Sequence, residues 1–504
     1  MSQIFVNNLT FAYDGSYDTV FENAGFNLDT AWKLGLIGRN GKGKTTLLKL
    51  LMGEYEYSGT ISTHTCFDLF PYRLDEGDLT KTAAELAEKW KPQVELWQIL
   101  IQMNLIRIEE ECLFRPFGTL SYGERTRVML AVLFAAENDF LLIDEPTNHL
   151  DQEARISVRD FLSIKKGFIL VSHDRDLLDA VVDHVLVLNR KTIEVQMGNF
   201  SSWLENKERA DAHATAENEK HLKEIKKLKT AADRSGRWAD KNEGTKIGFD
   251  PQKEPDRNIS TRSYIGAKTK KMQARVKSYE KRMDREIEEK EGLLQDVERT
   301  EELKMHPVSF HKDVLVRAKD LSLGFDEMLI SNLNFELKQG DRLVLSGKNG
   351  CGKSSLVKLI IQESGNLRVE GELSVSSGLL ISYVNQDTSF LHGTIKEYCK
   401  DAGLDETLFY TALRQLGFER TQFTKDIEDF SEGQKKKVLV AASLIIQANL
   451  YIWDEPLNYM DVFSRMQIED LILKYRPTML LVEHDVRFQE RVATGVIRLD
   501  GSEF

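Results

Sequence analysis

Two glycine-rich segments in this sequence carry the residue types that bind phosphate. The first reads Gly38-Arg39-Asn40-Gly41-Lys42-Gly43-Lys44-Thr45, and the second reads Gly347-Lys348-Asn349-Gly350-Cys351-Gly352-Lys353-Ser354. Glycines let backbone N–H groups surround phosphate oxygens, and the following helix adds the positive end of its dipole. Lys44 and Lys353 can reach terminal phosphates, while the Thr45 and Ser354 hydroxyls can ligate Mg²⁺. Each half of the chain is therefore predicted to bind a nucleotide.

Two adjacent carboxylates follow an apolar run in each half. Asp144-Glu145 follows Phe140-Leu141-Leu142-Ile143, and Asp454-Glu455 follows Tyr451-Ile452-Trp453. The first carboxylate of each pair can hold Mg²⁺, and the second is placed to polarise a water for attack on the γ-phosphate. One such pair at a strand end is common, but its recurrence after both phosphate loops indicates catalysis.

A histidine follows another apolar run in each half. His173 lies 28 residues after Glu145, and His484 lies 29 residues after Glu455. A lone histidine after a strand is usually structural. At this matched spacing we interpret both as sensors that hydrogen-bond the γ-phosphate or the attacking water.

A serine and a nearby glycine open a predicted helix in each half. These are Ser121-Tyr122-Gly123-Glu124 and Ser431-Glu432-Gly433-Gln434. Alone, each serine would be a helix cap. With the other motifs, each helix N-terminus is predicted to be a second phosphate-binding end.

The spacing of these motifs indicates a tandem duplication. Lys44 and Lys353 are 309 residues apart, and Asp144 and Asp454 are 310 residues apart. Each copy alternates apolar strands with helical segments, which predicts an α/β fold around a largely parallel sheet. We expect one domain over residues 1–203, a second over residues 313–504, and a linker over residues 204–312.

The linker is predicted to be a long helical hairpin. Between residues 204 and 306 the only prolines are Pro251 and Pro255, which mark a break between two helices. Residues 234–285 contain 15 Lys and Arg against 7 Asp and Glu, a net charge of +8, whereas the whole chain carries −12. A basic tip on an acidic body is typical of an element that faces a polyanion. A solvated coiled coil remains the alternative.

Composition narrows the cellular context. The four cysteines, Cys66, Cys112, Cys351 and Cys399, show no metal-binding spacing and indicate reduced thiols in a cytoplasmic protein. The N-terminus lacks the features of a signal peptide. No apolar run approaches the length of a membrane span.

The order of phosphate loop, serine-glycine motif, carboxylate pair and histidine resembles the ATP-binding cassette superfamily. In that family two cassettes pack head to tail, and each ATP lies between the phosphate loop of one and the serine motif of the other. The resemblance implies ATP and Mg²⁺ as cofactors, hydrolysis of ATP, and a monomer whose two cassettes pair with each other. The aromatic side chain that stacks on adenine is matched by Tyr13 and Phe325.

The site residues implied by the motifs and the resemblance form two sets. For the first site they are Tyr13, Gly38, Asn40, Gly41, Gly43, Lys44, Thr45, Thr46, Asp144, Glu145 and His173 with Ser431 and Gly433. For the second site they are Phe325, Gly347, Asn349, Gly350, Gly352, Lys353, Ser354, Ser355, Gln386, Asp454, Glu455 and His484 with Ser121 and Gly123.

Two residues depart from the family pattern in the first half. Tyr122 stands where the serine motif usually has glycine, and Tyr72 stands at the place of the Mg²⁺-facing glutamine, which is Gln386 in the second half. A phenol is a poor substitute for a neutral amide ligand. We therefore expect the two ATP sites to be unequal.

Two fused cassettes joined by a charged helical hairpin resemble the ABC-F subfamily. The entry to the linker, Gly198-Asn199-Phe200-Ser201, matches that subfamily's pattern. This resemblance implies binding at the E site of the bacterial 70S ribosome, with the linker reaching P-site tRNA and the peptidyl transferase centre of 23S rRNA. Arg262, Tyr264 and Lys268 are the candidate RNA contacts at the tip, although each could equally be a solvated loop residue.

Within ABC-F, the sequence resembles the Lsa-type antibiotic-resistance branch. That branch protects ribosomes from lincosamides, streptogramin A and pleuromutilins. The matching segments are residues 32–41, 115–117, 167–175 and 451–459. Two alternatives remain open: a housekeeping ABC-F factor that acts on stalled ribosomes, and an exporter ATPase with a separate membrane subunit. Our interpretation expects no membrane subunit.

Overall fold

A computed structural model describes most of the chain in two compact units. The described residues are 3–13, 19–136, 139–148, 150–189, 193–244, 277–278, 281–283, 285, 303–325, 328–363, 365–418 and 420–499. One unit comprises Met1–Trp203 with Glu301–Phe504, and the other comprises Leu204–Thr300. The candidate RNA contacts Arg262, Tyr264 and Lys268 lie outside the described residues.

The first half alternates strands and helices, as the sequence predicts. Its elements are β1 (Gln3–Ala12), β2 (Thr19–Asp29), β3 (Lys33–Ile37), α1 (Lys44–Leu51), β4 (Ser58–Ser62), β5 (Cys66–Phe70), α2 (Ala83–Trp90), α3 (Leu96–Leu105), α4 (Tyr122–Leu133), β6 (Asp139–Asp144), α5 (Gln152–Ser163), β7 (Phe168–Val171), α6 (Arg175–Val181), β8 (His184–Leu188) and β9 (Ile193–Met197). Short 3₁₀ turns lie at Glu76–Thr80, Glu110–Leu113 and Phe117–Thr119.

The second half repeats this order after a long helix, α7 (Phe200–Gly244). Its elements are β10 (Val314–Gly324), β11 (Met328–Lys338), β12 (Arg342–Ser346), α8 (Lys353–Ile360), β13 (Arg368–Val375), β14 (Ile381–Val384), α9 (Ile395–Asp401), α10 (Glu406–Gln415), α11 (Glu432–Ile445), β15 (Leu450–Asp454), α12 (Val462–Tyr475), β16 (Met479–Val482), α13 (Val486–Val492) and β17 (Gly495–Arg498). Short 3₁₀ turns lie at Arg420–Thr424 and Ile427–Asp429.

Each half contains a parallel sheet beside a smaller antiparallel sheet. In the described residues the parallel strands follow the order β5-β6-β7-β3-β8 in the first half, with β9 antiparallel at the edge, and β14-β15-β16-β12-β17 in the second. The antiparallel sheets are β2-β1-β4 and β11-β10-β13. Strands β7 and β16 read FILV and MLLV and are buried throughout, as expected for parallel strands covered on both faces.

The strand order brings the ends of three neighbouring strands to one edge of each parallel sheet. Asp144 pairs with Val171, and Leu36 also pairs with Val171. In the second half, Asp454 and Leu345 both pair with Val482. Loops after the carboxyl ends of adjacent parallel strands meet in one crevice, which is where α/β proteins bind ligands.

The linker begins as a single long helix of 45 residues. It starts at Phe200, because Asn199 caps it by accepting a 3.0 Å hydrogen bond from the Ser202 N–H. The second helix predicted for the hairpin falls largely on residues that the structure does not describe. In the parts of the chain that the structure describes, every helix is either too short or too polar to span a bilayer.

Candidate nucleotide-binding sites

The first phosphate loop connects β3 to α1 and is shaped by glycine. Gly41 and Gly43 have φ angles of 81° and 91°, in the left-handed region that favours glycine. At Gly43 a Cβ would lie 2.6 Å from a Val20 methyl carbon, so a side chain does not fit there. Helix α1 begins at Lys44 without a side-chain cap. Its first backbone N–H groups can therefore bind an anion.

The lysine of each loop is buried against loop carbonyls. Lys44 Nζ donates to the Gly38 carbonyl over 2.8 Å and to Asn40 Oδ1 over 3.2 Å. Lys353 Nζ donates to the carbonyls of Gly347 and Lys348 over 2.8 and 3.0 Å. Both ammonium groups are thus held beside the backbone N–H groups that would surround phosphate.

The second loop has the same backbone geometry. Gly350 and Gly352 have φ angles of 82° and 99°. Helix α8 likewise begins at Lys353 without a side-chain cap. The residues of the second loop that line a cleft of about 400 Å³ are Asn349, Gly350, Gly352, Lys353, Ser354 and Ser355.

The residues predicted to ligate Mg²⁺ lie together in the first half. Thr45 Oγ1 donates a 2.8 Å hydrogen bond to Asp144 Oδ2. Burial raises the pKa of Asp144, and its bond from Thr45 and the charge of Lys44 oppose that rise. A hydroxyl and a carboxylate are the hard oxygen ligands that Mg²⁺ prefers.

The second half presents a carboxylate that fits a cation equally well. Both carboxylate oxygens of Asp454 are buried without a hydrogen bond of good geometry among the described residues, and the Ser354 hydroxyl is the neighbouring group that stabilises their charge. Burial raises the pKa of Asp454 to about 6. Buried carboxylate oxygens normally have partners, so an orphaned pair fits a Mg²⁺ ligand. When bound, Mg²⁺ would add positive charge next to the phosphates of the nucleotide.

The two glutamates predicted to activate water have the same unusual backbone. Glu145 and Glu455 have φ angles of 51° and 48°. Residues other than glycine rarely adopt this left-handed backbone conformation. Such strain costs about 1–3 kcal/mol and concentrates at functional sites. Sequence patterns carry no signal for this feature, which aims both carboxylates from the strand end towards the cleft.

Each glutamate lies beside the predicted histidine sensor. His173 Nε2 is 3.1 Å from Glu145 Oε1, and the His173 backbone N–H donates to Glu145 Oε2 over 3.4 Å. His484 Nε2 is 3.7 Å from Glu455 Oε1. Burial, with the charges of Lys44 and Arg465, holds the pKa of His173 well below its ordinary value.

The electrostatic surroundings of the two glutamates differ. Burial and the neighbouring Asp144 raise the pKa of Glu145 to about 8. Burial also acts on Glu455, but His484, Lys436 and Gln386 together hold its pKa below the ordinary value. The charged groups around the two glutamates therefore differ.

The predicted adenine-stacking residues each line one of the two clefts. Tyr13 and Phe325 are 44% and 55% exposed, which leaves a ring face for a base. The Tyr13 hydroxyl lies 2.6 Å from Thr46 Oγ1 and anchors the ring next to α1. Phe325 lines the second cleft with Leu329.

The first site spans both halves. A cleft of about 560 Å³ is lined by residues of the first half together with Ser431, Glu432, Gly433 and Tyr459 of the second half. The members from the first half are Tyr13, Val20, Asn40, Gly41, Gly43, Lys44, Thr45, Thr46, Asp144, Glu145, Asn148, Val171 and His173. Asn40 Nδ2 also donates to the Tyr459 carbonyl over 2.8 Å. Gly38 contributes the carbonyl that accepts from Lys44.

The second site is assembled less completely in this conformation. Its cleft contains Gln386 and Glu455, but Ser121 and Gly123 do not line it. Ser121 caps α4, and Gly123 packs beside Leu150 and Ala154. A separate cleft of about 260 Å³ places Gly347 and His484 with residues 151–153 of the first half. There, Lys348 Nζ lies 3.0 Å from Glu153 Oε2 and bridges the two halves.

The two departures from the family pattern have structural consequences. Gln386 Nε2 donates to Glu455 Oε2 over 2.8 Å. Tyr72 instead donates from its hydroxyl to Asp68 Oδ2 over 2.8 Å and stacks on Trp90 with ring centroids 4.7 Å apart. The phenol belongs to the packing of α2 rather than to the lining of the first cleft.

Sequence reasoning missed buried polar contacts both between the halves and within the second half. Arg175, directly after His173 and Asp174, forms a buried ion pair with Glu469. Asp461, which caps α12, is paired with Lys437 over 3.0 Å. The recurrence of Asn-x-x-Asp at residues 148–151 and 458–461 was the available signal for the loop that holds Tyr459.

The fold and clefts define a class of protein: a tandem nucleotide-binding ATPase in which one half completes a phosphate-binding site of the other. A family model described as "ABC transporter" matches residues 21–148 and 330–458, together just over half of the chain. The chain belongs to this family and is a tandem ABC ATPase of the ABC-F type. The α/β fold with two ATP-binding cassettes separated by a long helix, predicted from the sequence, is thereby confirmed.

Curated relatives match along nearly the whole chain. The ribosome protection protein VmlR of Bacillus subtilis is 27% identical over 502 residues, covering 98% of this chain and 86% of VmlR. The ATP-binding protein Uup of Buchnera aphidicola is 28% identical, covering 98% of this chain and 80% of Uup. Neither comparison resolves the Lsa branch.

A solved structure supports the fold. The archaeal ribosome recycling factor aABCE1, in complex with a ribosomal stalk protein, has a TM-score of 0.60 at 19% identity. The match covers 98% of this chain and 88% of that chain. At this identity the likeness shows the arrangement of the fold alone.

Proposed function

We propose that this ATPase protects bacterial ribosomes from antibiotics. It binds the E site of the 70S ribosome in the cytoplasm, and ATP binding and hydrolysis gate a linker that reaches P-site tRNA and the peptidyl transferase centre of 23S rRNA. The linker shifts the P-site tRNA and the nearby rRNA. The shifted drug site then binds lincosamides, streptogramin A and pleuromutilins less tightly. No membrane subunit takes part.

The observation that carries this proposal is the way both cassettes hold the first turn of α7. The Ser201 backbone N–H donates to Asp179 Oδ1 of the first cassette over 2.7 Å. Arg487 of the second cassette lies 2.5 Å from Asp179 Oδ2 and donates to Ser201 Oγ over 3.4 Å. Trp203 packs edge-on against Phe463 with ring centroids 6.0 Å apart.

These contacts come from segments next to the nucleotide sites. Asp179 lies in α6, which starts two residues after His173, and Arg487 lies in α13, which starts two residues after His484. Phe463 lies in the first turn of α12, four residues after Tyr459 of the first cleft. A change in cassette pairing must therefore move the start of the linker helix. ATP can shift the equilibrium between two linker positions only if its binding is coupled to the linker, and these contacts supply that coupling.

Two further lines support a ribosomal partner. Residues 234–285 of the linker carry the net charge of +8, which suits RNA phosphate. VmlR, which matches this chain over most of both lengths, is named a ribosome protection protein. The proposed RNA contacts at the tip are Arg262, Tyr264 and Lys268.

The residues of each site have separate roles in the hydrolysis of ATP. The loop lysines and helix N-termini bind the phosphates, while the hydroxyl and first carboxylate of each site would hold Mg²⁺. Glu455, or Glu145 in its ionised form, accepts a proton from the attacking water, whose oxygen bonds to the γ-phosphorus as the bond to the ADP oxygen breaks. His173 and His484 orient the glutamate and the γ-phosphate. Hydrolysis reopens the cassettes and releases the protein.

Cell-free translation tests the proposal and separates it from its rivals. Purified protein with ATP is added to a membrane-free bacterial extract inhibited by lincomycin or tiamulin. Restored synthesis in the presence of drug supports protection. A housekeeping ABC-F factor would relieve stalled ribosomes without drug but would not restore drugged synthesis. An exporter ATPase would have no effect without membranes, and this result would reject the proposal.

A further inference from the structure

A buried lysine lies next to the catalytic edge of the second sheet. Lys436 is in α11, and only 3% of it is exposed. Its Nζ donates to the Asn385 carbonyl over 2.8 Å and to the Asp454 carbonyl over 3.4 Å. Burying an ammonium group is costly unless it has such partners. The ammonium therefore occupies a defined position between two loops.

The two carbonyls belong to residues that immediately precede the predicted catalytic groups. Asn385 follows β14 and precedes Gln386, while Asp454 ends β15 and precedes Glu455. The Gln386 amide donates to the Glu455 carboxylate over 2.8 Å. Lys436 thus joins the two backbone segments from which this pair projects.

Among the described residues of the first cassette, no such connection is present. Ser121 and Ser431 cap α4 and α11, and counting five residues from each places Thr126 opposite Lys436. Thr126 is also buried, but its side chain is too short to span two strand ends. At the position matching Gln386, the first cassette has Tyr72, which bonds to Asp68. The lysine and the glutamine therefore occur together in one cassette.

We propose that Lys436 is a positioning residue of the second ATP site, which holds the Gln386 amide against the Glu455 carboxylate. The part of the first site that the structure describes contains no equivalent contact. The inference rests on the proposed roles of Gln386 and Glu455 in hydrolysis, and it is independent of ribosome binding. It gives a physical basis for unequal turnover at the two sites.

The test replaces Lys436 with the residue of the other cassette, as Lys436→Thr. It is made in a Glu145→Gln background, where the second site alone turns over, and in a Glu455→Gln background, where the first site alone turns over. We expect kcat to fall about tenfold or more in the first background, with KM changed less than about twofold. In the second background kcat should be unchanged, which a general loss of folding could not produce.

A second measurement needs neither nucleotide nor turnover. Hydrogen exchange of the nucleotide-free Lys436→Thr variant should be faster over residues 381–388 and unchanged over the matching residues 66–73. Lys436→Met keeps most of the buried stem and should give the same two results if the threonine variant does not fold. Equal losses of kcat in both backgrounds, no loss in either, or unchanged exchange over residues 381–388 would each overturn the proposal.

Discussion

Asn40 and Tyr459 join the two cassettes at the first ATP site. Asn40 Nδ2 donates to the Tyr459 carbonyl over 2.8 Å, and Asn40 Oδ1 accepts from Lys44 Nζ over 3.2 Å. Tyr459 holds a left-handed backbone with φ of 63°, which turns its carbonyl towards the phosphate loop. One side chain thus connects the phosphate-binding lysine to the opposite cassette.

Asn40→Ala should weaken ATP binding at the first site. It removes the bond to Tyr459 and the acceptor for Lys44, and a hydrogen bond of this kind contributes about 1 kcal/mol. We expect the Kd of a fluorescent ATP analogue to rise about fivefold or more in a Glu145→Gln, Glu455→Gln background. Arg368→Ala, on an exposed strand far from the loop in sequence, is the control. Unchanged affinity at both sites would contradict this role for Asn40.

Arg175→Ala should destabilise the paired cassettes. Arg175 and Glu469 are 6% and 0% exposed, and Arg491 contacts the same Glu469 over 2.9 Å. Removing one partner of a buried pair leaves an uncompensated charge and costs about 3–5 kcal/mol, here towards the lower end because Arg491 remains. Urea unfolding measures the loss. Arg368→Ala breaks a pair of exposed residues with Glu370 and should cost at most about 1 kcal/mol. Equal costs would refute the buried-pair argument.

Arg487→Ala should uncouple the cassettes from α7. Spin labels at Lys220 in α7 and at Lys396 in α9 report the distance between the linker helix and the second cassette. In the Glu145→Gln, Glu455→Gln background we expect ATP to change this distance, and Arg487→Ala to abolish most of the change while ATP still binds.

The matched control for Arg487 lies in the same helix. Arg491 also belongs to α13, but it pairs with Glu469 and Asp470 of its own cassette. Arg491→Ala should therefore keep the ATP-dependent change in distance. If both variants behave as the parent protein does, the contact between Arg487 and Asp179 does not transmit cassette closure.

Asp461 should make stability depend on pH in the acid range. Burial alone would raise its pKa, but the buried Lys437 ammonium, 3.0 Å away, holds the pKa well below its ordinary value. A carboxyl whose pKa is lower in the folded state stabilises that state above its unfolded pKa of about 4. This contribution is lost as the pH falls from about 4 towards the folded pKa.

Asp461→Asn tests this dependence. Asparagine keeps a capping oxygen for Ser464 but leaves Lys437 without its counter-ion, at a cost of about 3 kcal/mol or more at pH 7. The difference in free energy of unfolding between wild type and variant, measured with urea at pH 7, 5 and 3, should shrink at pH 3. A difference that is constant with pH would mean that the pair does not stabilise the fold.

The local motifs could be predicted because their chemistry is contiguous in sequence. Each phosphate loop, with its glycines, lysine and hydroxyl residue, occupies eight residues, and the carboxylate pair ends an apolar strand. The parallel strand order then brings these ends together. The α/β repeat followed from the regular offset between the two copies.

The contacts between cassettes could not be predicted because nothing local encodes them. Arg175 and Glu469 are 294 residues apart, and neither stands in a recognisable motif with the other. Contacts within the second cassette are equally hidden, because lysine is rarely buried, yet Lys436 and Lys437 are buried against strand ends and Asp461. The backbone strain at Glu145 and Glu455 is likewise set by tertiary structure.

Sedimentation with ribosomes tests the central proposal most directly. The Glu145→Gln, Glu455→Gln variant, which binds ATP but cannot hydrolyse it, is mixed with bacterial 70S ribosomes and pelleted through sucrose with ATP or ADP. We predict that the protein pellets with ribosomes in ATP and remains in the supernatant in ADP. A variant that binds ATP yet stays in the supernatant under both conditions would contradict the proposal.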